Sequence, residues 1–206
     1  MRPLARLHAV TDAAVRALPD LGVRAAAIAS AGSAVALHAR DRAATAADLA
    51  ALADRFVTLT LPAEASTIVS GRPDIARAVG AQGVQLAAGD LAPRDIRAAF
   101  GELRLGRSVH SLSEARAAVD EGADYLLLGS VFATTSHPDR APIGIEVVRS
   151  VSALGVPVIA IGGITPQHAR VLRDAGAYGV AAIRALWHAE DPARAALAFL
   201  DGWVDQ

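Results

Sequence analysis

The chain has 206 residues and a formal net charge of −1, with 53% hydrophobic and 20% charged residues. It contains no cysteine, no lysine and no asparagine, so every permanent side-chain cation is an arginine. The balanced charge offers no basic face for nucleic acid or for a membrane surface. The missing cysteines exclude disulfides and thiolate chemistry, and the missing lysines exclude Schiff bases and the Gly-Lys-Ser/Thr phosphate loop.

No segment has the pattern of a secretory signal or a membrane span. Residues Met1–Val10 hold two arginines and no long apolar run. The mostly apolar stretch Leu21–Ala36 is interrupted by Arg24 and Gly32, whereas a spanning helix needs about 20 apolar residues. We therefore expect a cytoplasmic protein that binds neither nucleic acid nor membranes.

Short apolar runs, bounded by glycine, proline or polar residues, alternate with amphipathic stretches along the whole chain. Such runs are typical of buried parallel strands. The eight predicted strands are Leu7–Thr11, Ala34–His38, Thr67–Ser70, Gly83–Leu86, Leu103–Val109, Tyr125–Val131, Val156–Ile161 and Gly179–Ile183.

Helix start signals fall between these strands. Thr45, with Asp48 three residues later, and Ser111, with Glu114 three residues later, are capping patterns. Pro166 follows Thr165, and Pro192 follows Asp191, which places each proline in a first helical turn. The sequence therefore predicts helices after several of the strands.

Eight strand–helix units in one chain predict a parallel sheet. At about 26 residues per unit there is no room for a second domain, so residues 1–206 are predicted to form a single (β/α)₈ barrel. An open doubly wound sheet is the alternative. No Gly-x-Gly-x-x-Gly follows an early strand, which argues against a dinucleotide fold.

In such barrels the active site lies at the carboxyl ends of the strands. This rule selects the residues that end or follow the predicted strands. They are Thr11, Asp12, His38, Arg40, Ser70, Gly71, Arg72, Gln85, Asp90, Ser108, His110, the segment 132–137, Gly162, Gly163 and Arg184.

The clearest binding element is the turn that contains Gly162 and Gly163. It leaves an apolar strand and runs into the helix that starts near Pro166. Two glycines allow close backbone approach, and a helix N-terminus presents free N–H groups to an anion. We expect a phosphate here, with Arg184 as a second contact; the alternatives are a tight turn without ligand and a surface ion pair.

Histidine and arginine residues supply the remaining candidates. His110 shares a face with Ser108 at the barrel mouth, where an imidazole can exchange a proton near neutral pH or brace a loop. Arg40 and Arg72 suit a carboxylate or phosphate, or are solvated charges. His8 is predicted to be an ordinary packing or surface residue.

Six motifs are distributed over nearly the whole chain: Leu7-His-Ala-Val-Thr-Asp12, Gly83-Val-Gln-Leu86, Gly106-Arg-Ser-Val-His-Ser-Leu112, Gly122-Ala-Asp-Tyr125, Gly129-Ser-Val-Phe132 and Val158-Ile-Ala-Ile-Gly-Gly-Ile-Thr-Pro166. Together they resemble the thiamine phosphate synthase/TenI superfamily. The Gly-Gly-Ile-Thr-Pro stretch is shared by both branches, so it identifies the superfamily and not the reaction.

The synthase branch joins a thiazole phosphate to a pyrimidine pyrophosphate with Mg²⁺, and this chain departs from its pattern. The synthase pattern Gln-x-Arg-x-Lys after strand 2 matches Ala36-Leu-His38-Ala-Arg40 here. A magnesium-binding Asp is replaced by Gly71, whereas a second carboxylate is retained as Asp90. Thr-x-Thr-Lys matches residues 134–137, which end in His137.

The TenI branch is similar to this chain in Ser70-Gly-Arg72, in Gln85 and in the segment around His110. The resemblance implies a thiazole tautomerase, an isomerase of thiamin biosynthesis that aromatises a carboxythiazole phosphate. His110 is its implied catalytic residue, which moves the proton. Substrate-binding roles fall to His38, Arg40, Ser70, Gln85, Ser108, Gly162, Gly163 and Arg184.

This tautomerase is the predicted function, with no metal and no cofactor. The alternatives are the synthase, which would need Mg²⁺, and a non-catalytic barrel that has kept the phosphate site. The expected partner is a small phosphorylated thiazole. We also expect a homo-oligomer, because barrels of this family often associate, and a lid over the site formed by Ala133–Pro142.

Overall fold

The computed structural model describes residues 2–134 and 141–203. Eight parallel strands close into a barrel in chain order, and the first strand pairs with the eighth as well as the second. The predicted (β/α)₈ barrel is therefore confirmed. The strands are β1 (Leu7–Val10), β2 (Val35–Ala39), β3 (Ser66–Ser70), β4 (Gly83–Leu86), β5 (Arg104–Val109), β6 (Tyr125–Gly129), β7 (Val158–Ile161) and β8 (Gly179–Ala182).

Strand bounds differ from the prediction by at most two residues, and β4 matches it at both ends. The largest differences are at β6, which ends at Gly129, and at β7, which begins at Val158 rather than Val156. Pro157 has no N–H to donate to a neighbouring strand, although its carbonyl oxygen accepts the Leu126 N–H at 2.9 Å. The apolar run is thus longer than the paired strand.

Helices cover the outside of the barrel. They are α1 (Ala13–Arg16), α2 (Leu21–Ala29), α3 (Ala46–Thr60), α4 (Pro73–Val79), α5 (Pro93–Ala99), α6 (Leu112–Asp120), α7 (Gly144–Ser152), α8 (Ala169–Asp174), α9 (Arg184–Trp187) and α10 (Pro192–Leu200). None of the helices in the described part of the chain is long and apolar enough to cross a membrane.

The predicted capping residues start their helices. The side chains of Thr45, Ser111 and Asp191 accept backbone N–H groups in the first turns of α3, α6 and α10. After β7, Thr165 caps a 3₁₀ turn, Pro166–His168, that leads into α8. Each cap satisfies an N–H group that the first helical turn leaves unpaired.

The main hydrophobic core lies between the strands and the helices. Outward-facing side chains such as Leu37 and Val84 pack under helical residues, among them Phe56 of α3 and Trp187 of α9, whose rings stack 6.0 Å apart. All four side chains are fully buried. This layer accounts for the apolar character of strands that are buried on both faces.

The barrel interior has an apolar side and a polar side. Val10, Ile159 and Ala181 belong to a second, smaller apolar cluster. The ring of His8 on β1 lies 5.5 Å from that of Tyr125 on β6, which is not a neighbouring strand, so the contact crosses the interior. Both rings are fully buried, so polar groups reach the centre of the barrel.

Candidate active site

The carboxyl ends of β2 and β1 place Arg40 at the barrel mouth. The Thr11 hydroxyl accepts the Arg40 backbone N–H at 2.9 Å and lies 2.8 Å from its carbonyl oxygen, which fixes this residue in place. Its side chain is partly buried and makes no hydrogen bond or ion pair with any other described residue. Burial lowers the pKa of the Arg40 guanidinium, and so does neighbouring Arg42, whereas Asp12 and Asp41 raise it.

Arg72 is placed differently from Arg40. Its guanidinium Nε donates to Asp74 Oδ1 at 2.8 Å, in an ion pair whose two side chains are both exposed. This contact matches the alternative of a solvated charge, at the residue that precedes α4. Asp12 is also occupied, because its Oδ1 accepts the Val15 N–H at 2.9 Å and caps α1.

Ser70, Gln85 and Ser108 lie side by side on β3, β4 and β5. Ser70 pairs with Gln85 in the strand register, and Gln85 Nε2 donates to Ser108 Oγ at 3.0 Å. The Gln85 Oε1 and Ser70 Oγ atoms are buried and have no hydrogen-bond partner in the described part of the chain. The structure therefore brings these three predicted residues together and leaves two of their oxygens unsatisfied.

His38 lies inside the barrel rather than at its rim. It is fully buried, and its Nε2 is 2.7 Å from Nδ1 of His8, which is also fully buried. The prediction that His8 is an ordinary packing or surface residue missed this pair. The alternation of side-chain directions along β1 could have indicated that His8 points into the barrel. Both faces of a barrel strand are apolar, however, so alternation alone did not show which face is the inner one.

His110 follows β5 and is held by two hydrogen bonds. Its Nδ1 donates to the carbonyl oxygen of Gly129, and its backbone N–H donates to Glu114 Oε2 at 2.8 Å. Because Gly129 O can only accept, the neutral ring carries its proton on Nδ1 and leaves Nε2 as an acceptor. The ring is partly buried at the mouth.

Gly162 and Gly163 both have positive φ angles, 104° and 64°. A Cβ on Gly162 would lie 2.6 Å from the Ser130 Cα, and a Cβ on Gly163 would lie 2.3 Å from the Ala133 carbonyl oxygen. Close packing against the segment after β6 thus requires glycine at both positions, whether or not a ligand binds.

The start of α8 is braced by His168. Its Nδ1 accepts the Thr165 N–H at 3.2 Å, and its ring stacks on Phe132 at 4.2 Å. The Thr165 N–H, one of the groups near the helix start that were expected to bind an anion, is therefore already hydrogen-bonded to His168. Arg184 is the exposed first residue of α9. Residues 135–137 and most of the proposed lid lie outside the described residues.

Asp90 is the carboxylate that the synthase pattern assigns to a metal ion. Its Oδ2 accepts the Ala87 N–H at 2.7 Å, and a Cβ on Gly71 would lie 3.4 Å from the same oxygen. Arg107 fixes this loop, because its guanidinium donates to the carbonyl oxygens of Ala88, Asp90 and Leu91 at 3.1–3.2 Å. A carboxylate at position 71 would therefore stand beside Asp90.

The synthase branch, left open as an alternative by the sequence, would need Mg²⁺. No group of three or more histidines, aspartates and glutamates in residues 2–134 and 141–203 would hold a metal by itself. Magnesium sites, however, commonly use one or two carboxylates together with substrate phosphates and water. Asp90 fits that requirement as the single carboxylate, so this chain fits Mg²⁺ only when substrate supplies other ligands.

A closed parallel barrel with polar residues gathered at its carboxyl end is a (β/α)₈ barrel, a fold whose enzymes have their active sites at that end. The family model described as thiamine monophosphate synthase matches residues 7–186. The chain belongs to this family.

Similar proteins cover nearly the whole chain. The thiamine-phosphate synthase of Salinispora arenicola is 42% identical over 205 residues, which is 98% of each protein. That of Chloroflexus aurantiacus is 39% identical over 194 residues, covering 93% of this chain and 89% of the relative. The solved thiamine phosphate pyrophosphorylase from Pyrococcus furiosus superposes with a TM-score of 0.83 at 33% identity, covering 96% of this chain and 94% of that one.

The predicted thiazole tautomerase is wrong. The prediction rested on Ser70-Gly-Arg72, on Gln85 and, most closely, on the segment Gly106–Leu112 around His110, whereas relatives similar over nearly the full length are thiamine-phosphate synthases. The superfamily prediction is confirmed. The isomerase class falls with the tautomerase, whereas the cofactor and the roles of the predicted site residues stay predictions.

Proposed function

We propose that this chain is a thiamine-phosphate synthase that joins a thiazole phosphate to a pyrimidine pyrophosphate. The proposal is supported by family membership and by the full-length similarity to synthases. It replaces the tautomerase with the alternative that the sequence had left open. The partly buried Arg40 carries the proposal at the level of the site.

Arg40 is a cation that burial has stripped of much of its water; Asp12 and Asp41 act on it at a distance, but it forms no ion pair or hydrogen bond with a described acidic side chain. Such a charge is costly to bury unless an anion binds to it. A guanidinium binds phosphate oxygens through two hydrogen bonds, and this position matches a lysine in the synthase pattern. Arg40 therefore binds the pyrophosphate group of the pyrimidine substrate.

The reaction breaks the bond between the pyrimidine's carbon and a pyrophosphate oxygen, and its electron pair leaves on the pyrophosphate. The thiazole supplies the electron pair of the new bond. Arg40 stabilises the negative charge that develops on the leaving group, in a place already arranged to receive it. Magnesium, when held by Asp90 and substrate oxygens, supplies further neutralisation of the same charge.

The thiazole phosphate binds across the mouth, at the turn of Gly162 and Gly163. Exposed Arg184 adds a second contact at the end of β8. His110 and Ser108 face the bound rings from β5, where the Nε2 atom of His110 accepts a hydrogen bond. Binding of both rings at one mouth orients the reacting atoms, which lowers the entropic part of the barrier.

The test is a condensation assay with both substrates and Mg²⁺, in which product and released pyrophosphate are measured. We expect robust turnover by the wild-type chain. Arg40→Ala should lower kcat/KM by about 10- to 100-fold, because hydrogen bonds to charged groups contribute roughly 1.5–3 kcal/mol each.

Arg42→Ala is the matched control, because it removes an exposed arginine two residues away. Equal losses in the two variants would show a general charge effect and would remove Arg40 from the site. A wild-type chain that binds the phosphorylated ligands but forms no product would instead favour the non-catalytic barrel.

A further inference from the structure

Two carboxylates lie near the Arg40 guanidinium without binding it. Burial lowers the pKa of Arg40, whereas Asp12 and Asp41 raise it, yet neither carboxylate forms an ion pair or hydrogen bond with it among residues 2–134 and 141–203. Each is held by helix α1 instead. Asp12 Oδ1 accepts the Val15 N–H at 2.9 Å, and Asp41 Oδ2 accepts the Arg16 Nε–H at 2.5 Å. One short helix therefore occupies both acidic neighbours of Arg40.

The Asp41 carboxylate has both of its oxygens occupied. Besides Arg16 on Oδ2, the Ala43 N–H donates to Oδ1 at 2.9 Å. The Asp41 side chain is only 1% exposed. The Ala43 N–H and Arg16 lower the pKa of Asp41, so the carboxylate is charged at neutral pH. Removal of the cation from such a pair leaves a buried charge without compensation, which is costly.

Arg40 is the cation that can replace Arg16 as the partner of Asp41. Its charge, like that of Arg16, already acts on the Asp41 carboxylate. Neighbouring arginine and aspartate side chains are long enough to meet, as Arg173 and Asp174 do at 3.6 Å in this chain. An Arg40 guanidinium bound to Asp41 would have less net charge and fewer free N–H donors for an anion.

The backbone of Arg40 is fixed independently of Arg16. The Thr11 hydroxyl at the end of β1 accepts the Arg40 N–H at 2.9 Å and lies 2.8 Å from its carbonyl oxygen. Loss of Arg16 therefore changes the charge beside Arg40 and leaves these backbone contacts in place. The effect that we expect falls on the direction of the Arg40 side chain.

We propose that Arg16 is a positioning residue that holds Asp41 and thereby keeps the Arg40 guanidinium available to the pyrophosphate group of the substrate. The inference rests on the proposed function, in which Arg40 binds that group. Arg16 acts through Asp41 in this role. Without Arg16, the buried carboxylate recruits the neighbouring guanidinium, and the anion site is lost although Arg40 is still present.

The first arm of the test measures binding of inorganic pyrophosphate by calorimetry, which needs no turnover. We expect Arg16→Ala and Arg40→Ala each to weaken binding about tenfold, in line with loss of one charged hydrogen-bonding contact. Because both remove the same contact, Arg16→Ala/Arg40→Ala should also be about tenfold weaker, rather than about a hundredfold. Losses that multiply would show that Arg16 acts on the anion independently of Arg40 and would overturn the proposal.

The second arm removes the competing carboxylate. We expect Arg16→Ala/Asp41→Asn to bind pyrophosphate within about twofold of wild type, because no charge at position 41 then attracts Arg40. A purely structural role of the ion pair predicts the opposite, since this variant has lost both partners. A double variant as weak as Arg16→Ala would therefore contradict the proposal. Circular dichroism checks folding, and Arg16→Gln replaces Arg16→Ala in every comparison if the latter does not fold.

Arg77→Ala is the matched control for the loss of charge. It removes an exposed arginine that pairs with Glu102 at 3.5 Å, before β4 and β5 begin and away from the barrel mouth. It should leave binding unchanged, and a loss equal to that of Arg16→Ala would reduce the effect to net charge. Unchanged binding in Arg40→Ala would remove Arg40 from the anion site and the role of Arg16 with it. The expected pattern in a chain that fails the condensation assay would keep the role of Arg16 and remove only the synthase activity.

Discussion

The two sides of the barrel mouth differ in where their polar groups find partners. On the β5–β7 side, defined by His110, Gly162 and Gly163, the fold supplies the contacts: His110 is held by Gly129 and Glu114, and the glycines pack on the segment after β6. On the β2–β4 side, defined by His38, Arg40, Ser70 and Gln85, each side chain keeps at least one group without a partner in the described residues.

This difference separates scaffold from recognition surface. A satisfied site needs nothing from a ligand to keep its shape, whereas buried unsatisfied groups carry a cost of about 1–3 kcal/mol each that water or a ligand removes. We expect the β5–β7 side to behave as a rigid frame. The β2–β4 side is completed by substrate, and it is also the side where the chain departs from the synthase pattern.

The largest expected effect on stability comes from a substitution that disrupts the packing of the β5–β7 side. In Gly163→Ala the new Cβ would lie 2.3 Å from the Ala133 carbonyl oxygen, so backbone has to move. We expect the free energy of unfolding to fall by about 3 kcal/mol, from overpacking together with the strain of a positive φ. Urea unfolding followed by circular dichroism measures it.

Gly155→Ala is the matched control for this clash. Gly155 has a φ of 80°, close to the 64° of Gly163, but a Cβ at this position would meet nothing within 4 Å. It should lose only about 1 kcal/mol, the cost of the left-handed backbone alone. Equal losses in the two variants would mean that the turn is not held by packing and that the frame is looser than proposed.

The fold was predictable because its signals are local and repeated. All eight strands lie at the predicted apolar runs, and Thr45, Ser111 and Asp191 cap helices as their spacing indicates. A helix cap is recognised from two residues three positions apart, and a buried strand is recognised from a short run of apolar residues. Neither signal needs knowledge of which strands meet across the barrel.

The interior of the site was not predictable in the same way. The contact of His8 with His38 depends on the strand register, and its contact with Tyr125 depends on closure of the barrel. The branch was misassigned because Gly71 was taken as the loss of a metal site and because short segments, above all Gly106–Leu112, were read as specific to the TenI branch. A single carboxylate, Asp90, together with substrate phosphates is enough for Mg²⁺ in many sites, so that loss does not exclude a synthase.

The buried histidines His8 and His38 predict that the free energy of unfolding depends on pH. Burial holds the pKa of His8 at about 4, whereas an unfolded histidine has a pKa near 6.5. Between these values the unfolded chain binds more protons, so the free energy of unfolding falls as the pH falls. From pH 7 to 5.5 the expected loss is about 1 kcal/mol from His8, and His38, whose pKa burial also lowers, adds to it.

Urea unfolding at several pH values in this window measures the slope. Carboxylates contribute little above pH 5.5, because their unfolded pKa values are near 4. His8→Gln should flatten the profile, whereas His188→Gln, which removes an exposed ring, should leave it unchanged. A wild-type profile that is flat across this range would mean that the histidine pair is not buried as described.

The smallest effect tests whether the β2–β4 side can regain a second carboxylate. Gly71 has a φ of 68°, which aspartate tolerates better than most residues, and a Cβ there would lie 3.4 Å from Asp90 Oδ2. Gly71→Asp should therefore raise the affinity for Mn²⁺ in calorimetry by several-fold, because two adjacent carboxylates attract a divalent cation more strongly than one.

Gly80→Asp is the control for this gain in affinity. Gly80 has a φ of 73° and no atom within 4 Å of a Cβ, so the substitution adds the same charge and the same strain away from Asp90. An equal gain in both variants would reflect net charge alone. No gain in Gly71→Asp would show that Asp90, held by Ala87 and the loop that Arg107 fixes, cannot share a cation with its neighbour, and that this side of the mouth recognises substrate without a two-carboxylate site.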